Sequence, residues 1–149
     1  MNIGSLCNRD VVGVPRNTTI AEAARVMRTS HIGNVLVLDE SDGDKIPIGI
    51  VTDRDIVIEV VAAGLNPDEL KVGDLLTAKL VIAHETESCE DTIRLMALNG
   101  VRRMPVVDAE GCLVGVVTLD DLLPYFAAPL AQLSELASRG RNREINLRR

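Results

Sequence analysis

The chain has 149 residues, 46% hydrophobic and 26% charged, which is enough for one compact body and too few for several large domains or an extensive catalytic architecture. Tyr125 and Phe126 are its only aromatic residues and Trp is absent, so a stacked-ring platform for single-stranded nucleic acid is excluded and the core must be aliphatic. The formal charge of −6 is uneven: residues 139–149 hold five Arg and one Glu, contributing +4, so the body before them carries −10 and does not attract a phosphate backbone.

Ile20, Ala23, Ala24 and Met27 recur at helical spacing and predict an amphipathic helix. Val35-Leu36-Val37-Leu38 and Ile48-Gly49-Ile50-Val51 predict two short buried strands around the turn-rich stretch 40–44. A second helix is expected over 53–63, stopped by Gly64 and then Pro67. Its run from Ile56 through Ala63 is apolar nearly all round and needs cover on more than one side, which a second subunit would supply. The same order then returns. Ile93, Met96 and Ala97 predict a helix, 104–107 and 113–117 predict strands, and another helix starts near Leu119. Pro124 is expected to kink that helix or delay its start, and Pro129 to open a further helix to about Ser138. The tail beyond reads as a disordered solubilising segment.

The recurrence is a repeat. At an offset of 69 positions, Ile3-Gly4-Ser5-Leu6 meets Val72-Gly73-Asp74-Leu75, Val12 meets Val81, Arg25 meets Arg94, Met27 meets Met96, and Asp39 meets Asp108. Past a three-residue deletion in the turn the offset becomes 66, and Gly49, Val51, Thr52 and Asp55 meet Gly115, Val117, Thr118 and Asp121. Turns absorb such length changes at little entropic cost.

Cys7, Cys89 and Cys112 are odd in number and widely spaced, and no secretory leader pattern precedes them, so a reduced, cytoplasmic protein is expected. No apolar run long enough for a membrane span is present. His31 and His84 have no second ligand at metal spacing, and no metal site is expected.

The twice-written Gly-x-x-Thr-x-x-Asp stretch, ending in Thr52/Asp55 and Thr118/Asp121, admits two readings. Each Thr-x-x-Asp is a capping box, purely structural. Alternatively the helix N-terminus with its Thr hydroxyl receives phosphate, the Asp accepts from a ribose diol, and the Gly leaves room for a flat base or sugar.

A tandem of β-β-α units with this motif after the second strand of each resembles a pair of cystathionine-β-synthase (CBS) domains, the arrangement called a Bateman module. The resemblance covers residues 3–126 and rests on repeat period, strand order and both motifs together. It implies an α/β (α+β) fold of two pseudo-symmetric repeats packed through their sheets around one shared core, with repeats at 3–66 and 72–127 and a C-terminal helix and basic tail at 128–149. It further implies two clefts that bind AMP, ADP, ATP, NAD or S-adenosylmethionine as regulatory ligands, pairing into homodimers, and relay to a separate effector protein. No required cofactor and no enzymatic activity are expected.

By position, the resemblance assigns Asp121 and Asp55 to ribose, and Thr118 and Thr52 to ribose or phosphate. Arg102 and Arg103, before the strand Pro105-Val106-Val107, would clamp phosphate in the Asp121 cleft, with adenine near Val12, Gly13, Ile32 and Gly33. The Asp55 cleft would use Thr77, Ile82 and Val101, and Asn34 there replaces the basic residue, so the Asp121 cleft is expected to fill first. Two other functions are compatible with the residues: a ligand-free dimeric scaffold whose motifs are only caps, and a nucleic-acid-responsive regulator whose Arg139, Arg141, Arg143, Arg148 and Arg149 touch phosphate.

Overall fold

Residues 1–148 of the computed structural model are described, and they form two units of one order, strand, helix, strand, strand, helix. After a short helix α1 (Ile3–Leu6), the first unit runs β1 (Gly13–Pro15), α2 (Ile20–Ser30), β2 (Asn34–Asp39), β3 (Ile46–Thr52) and α3 (Asp53–Ile56), which continues as one π-helical stretch over Val57–Val61. The second runs β4 (Ala83–His84), α4 (Cys89–Asn99), β5 (Arg103–Val107), β6 (Leu113–Thr118) and α5 (Leu119–Leu147). Each unit has a three-stranded sheet in chain order, the first pair parallel and the second antiparallel. The short parallel strands β1 and β4 go beyond the two-strand expectation. With three and two residues they are too short to show a period of their own.

Local chemistry fixes the ends of the helices. Thr19 caps α2, its Oγ1 accepting from Glu22 N at 3.1 Å while Glu22 Oε2 accepts from Thr19 N at 3.0 Å. Ser88 caps α4 by accepting from Asp91 N at 3.0 Å. The two helices end at equivalent positions in the left-handed conformation: His31 at φ 54° and Gly100 at φ 62°. Ile20, Ala23 and Met27 point α2 into the body, and Cys89, Thr92 and Met96 do so for α4. β2 and β5 are the middle strands of their sheets, which is why 35–38 and 104–107 are buried without alternation.

Two cores replace the single shared core expected. One gathers Val14, Ile20, Ala23, Met27, Val35, Val37, Val51 and Val60. The other gathers Ala83, Cys89, Met96, Met104, Val106, Val117 and Leu122. The units are interlocked by exchange of their leading segments. Ile3 and Cys7 belong to the second core, whereas Val72, with Leu75 and Leu76 packed beside it, belongs to the first. Backbone bonds tie each exchange: Gly4 N donates to Glu85 O at 2.9 Å, and Val72 N donates to Thr18 O at 2.8 Å.

The C-terminal region also differs from expectation. α5 is one helix that contains both Pro124 and Pro129, and it carries the basic residues through Leu147 in helical form. Both prolines are exposed, so water can reach the carbonyls that lose their donors there. Two of the tail cations pair along the helix, Arg139 with Glu135 and Arg148 with Glu144. Arg149 lies outside the described residues.

Candidate functional site: two clefts between the repeats

A cleft of about 310 Å³ lies where α5 begins. Thr118, Asp121 and Arg103 come from the second repeat, and Asn8, Asp10, Val12, Ile32 and Asn34 from the first. Its counterpart, about 260 Å³, lies where α3 begins and is lined by Asp55 together with Thr77, Lys79, Val81 and Val101, and again by Arg103. In each, one repeat supplies the acid at a helix N-terminus and the other supplies paired aliphatic side chains, Val12 and Ile32 or Val81 and Val101. Such pairs can hold a flat ring between them without an aromatic partner.

The acids are held by their caps. Asp55 Oδ2 accepts from Thr52 N at 2.9 Å, and Asp55 N donates to Thr52 Oγ1 at 3.1 Å. Asp121 Oδ2 accepts from Thr118 N at 2.9 Å and from the Thr118 hydroxyl at 2.8 Å, while Asp121 N donates to that hydroxyl at 3.2 Å. Capping and ligand binding are therefore compatible: the box uses Oδ2 and leaves Oδ1 of each carboxylate for a further donor, such as a ribose hydroxyl. The Thr118 proton is committed to Asp121, so this hydroxyl has acceptor capacity left and no donor for phosphate.

Several expected site residues lie elsewhere. Arg102 is exposed and lines neither cleft; its carbonyl instead accepts from Leu119 N at 2.8 Å. Gly13, Gly33, Thr52 and Ile82 are next to lining residues without lining the clefts themselves. Gly33 faces Asp53, where a Cβ would come within 3.0 Å of the carboxylate. Gly115 opens space for protein, meeting Cys7 Sγ and Asn8 O of the exchanged segment, whereas Gly49 meets the Leu76 side chain of the other exchanged segment and also lines the Asp55 cleft.

Arg103 lines both clefts, so the expected monopoly of the Asp121 cleft on a phosphate contact does not hold. The reason is position. Arg103 and its repeat equivalent Asn34 both border the Asp121 cleft, and Arg103 borders the Asp55 cleft as well. Sequence reasoning also missed Asp10 and Lys79, which occupy equivalent positions at the 69-residue offset and line opposite clefts. The offset itself could have found them.

Behind the site the chemistry is quiet. Burial pushes the Cys7 thiol up from its ordinary range, and likewise Cys89 and Cys112, so at neutral pH they are poor nucleophiles. Among the described residues no cluster of His, Cys, Asp and Glu is placed to hold a metal ion, and no helix is long and apolar enough to cross a membrane. An apolar groove of about 220 Å³ runs between α4 and α5, lined by Met96, Val101, Leu122 and Phe126 among others.

Relatives share this architecture. An uncharacterised protein of Methanopyrus kandleri is 37% identical over 135 residues, covering 89% of this chain and 67% of its own length. Among solved structures, Hypoxic Response Protein I with two coordinated zinc ions superposes with a TM-score of 0.74 at 31% identity, covering 84% of this chain and 98% of that one. The cytosolic domain of the Mg²⁺ channel MgtE in complex with ATP superposes with a TM-score of 0.70 at 29% identity, covering 83% of this chain and 48% of that one. The CBS-domain family model matches twice, over residues 3–62 and 72–128. With that double match on two interlocked repeats, the chain belongs to the CBS-domain family as a tandem pair, a regulatory module.

Proposed function

We propose that this CBS pair is a sensor of adenosine-containing ligands, AMP, ADP, ATP, NAD or S-adenosylmethionine, and that it relays ligand state to a separate partner protein. The observation that carries the reading is the matched construction of the clefts, each a capped helix N-terminus with a spare carboxylate oxygen facing an aliphatic pair from the other repeat. At about 310 Å³ one stands at the small end of ligand pockets, roughly 300–1,000 Å³, and at about 260 Å³ the other lies just below it. ATP bound to a structural neighbour supports the ligand class. A ligand bridging the two repeats favours one relative orientation of them, by as much as its affinities for the two states differ.

The protein works as a cytoplasmic homodimer without catalytic activity. A second copy covers Val57, Val61 and Leu65 beside α3 and Leu123, Leu130 and Leu133 on α5, large apolar side chains that one copy leaves exposed. The test is calorimetry with ATP, AMP and S-adenosylmethionine on the native protein and on Asp55→Ala and Asp121→Ala. Each substitution should abolish one binding event and leave the other. Full-affinity, full-stoichiometry binding in both variants would overturn the site, and no binding to the native protein would favour the scaffold reading, in which the motifs are only caps.

A further inference from the structure

The two clefts differ by one reversal of charge. Equivalent positions 10 and 79 hold Asp10 in the Asp121 cleft and Lys79 in the Asp55 cleft, while Arg103 serves both. Two carboxylates therefore face one guanidinium in the first, and two cations face one carboxylate in the second. Glu59 and Asp74 line a depression that adjoins the second cleft at Asp55, Leu75 and Thr77, but neither Lys79 nor Arg103 borders it. Among the described residues Asp55 is therefore the one carboxylate lining the cleft that holds Lys79, whereas Arg103 also borders Asp10 and Asp121 in the other cleft, and Asp74 Oδ2 already accepts from Lys71 N at 2.9 Å.

Resting on the adenosine-ligand reading above, we propose that the clefts sort ligands by charge. The Asp55 cleft takes a nucleoside polyphosphate, its phosphates between Lys79 and Arg103. The Asp121 cleft takes an adenosine derivative with a cationic tail, of the sulfonium class, set against Asp10 and Asp121. The order of phosphate preference is then opposite to the one that Asn34 in place of an arginine suggests. Asp10 and Lys79 are exposed, so they discriminate as solvent-screened charges whose effect falls as salt rises. One module would then report two different metabolite classes at once.

Calorimetry with ATP, S-adenosylmethionine and uncharged adenosine distinguishes the possibilities on the native protein, Lys79→Asp and Asp10→Lys. Both positions are exposed, and matching urea midpoints establish that the variants fold. Lys79→Asp should weaken the tighter ATP event about tenfold and leave adenosine affinity nearly unchanged, and raised salt should shrink the difference. Asp10→Lys should strengthen the weaker ATP event and weaken S-adenosylmethionine by a similar factor. If ATP binds natively but its affinities ignore both substitutions, or if Asp121→Ala removes the tighter ATP event, charge sorting is wrong and the adenosine reading stands. If none of the three ligands binds the native protein, both fall together.

Discussion

At the level of single residues, the repeat exposes which side chains are compromises. His31 sits at φ 54°, where Gly100 serves the other unit, and its N–H caps the end of α2 by donating to Met27 and Arg28 carbonyls. A side chain in this conformation costs about 1 kcal/mol relative to glycine. His31→Gly should therefore raise the urea midpoint, and Gly100→Ala should lower it. Glu22 offers a pH handle. Accepting from Thr19 N holds its carboxyl below the usual carboxylate range, with Arg25 and Lys71 adding to the effect. A carboxyl whose pKa is depressed by folding adds stability above its unfolded pKa and loses it as pH falls through the folded value. Glu22→Gln should flatten the acid limb of a stability-against-pH curve while leaving the limb above neutrality in shape. Site residues were legible to different degrees for the same local reason. Asp55 and Asp121 stand in a motif that is complete within four positions, whereas Asp10 and Lys79 lie in stretches without periodicity and acquire meaning only when the other repeat is laid against them.

Among elements, the helices and the central strands could be read from spacing and caps, and the exchange of leading segments could not. Nothing in Ile3-Gly4-Ser5-Leu6 states that its partners lie more than eighty residues on, at Glu85 and Glu87. The close approach of that segment is nevertheless checkable. At Gly115 a Cβ would stand 2.5 Å from Asn8 O and 2.8 Å from Cys7 Sγ, and the backbone oxygen belongs to a bridge in which Asn8 and Val116 exchange bonds of 2.8 and 2.9 Å. Gly115→Ala should destabilise by about 1–3 kcal/mol in chemical denaturation. Gly49→Ala should cost less, because its neighbour is the Leu76 side chain, which can change rotamer. Equal losses would mean that the exchanged segments yield equally well. For α5, local rules set breaks at Pro124 and Pro129, and the helix passes through both because its exposed backbone can be hydrated where donors are missing.

For the whole molecule, aliphatic composition and small size bear on assembly and on output. Only Leu122 of α5 is buried, while Leu130 and Leu133 are 67% and 62% exposed, so the helix extends from the body with an apolar stripe. Sedimentation should give twice the chain mass, and Leu133→Asp should shift the equilibrium toward the monomer. The acidic body and basic tail, apparent in the charge arithmetic, persist as an acidic pair of repeats and a helix whose Arg139 and Arg148 are already paired with glutamates. That pairing weakens the case for a phosphate-binding tail. The central claim, that this CBS pair senses adenosine-containing ligands between its repeats, is tested most directly by thermal and urea stability of the native protein with AMP, ADP, ATP, NAD and S-adenosylmethionine added singly. A cognate ligand at 100 times its dissociation constant should stabilise the fold by about 2.7 kcal/mol, and the gain should diminish in Asp55→Ala or Asp121→Ala. Unchanged stability with all five ligands at millimolar concentration would contradict the claim.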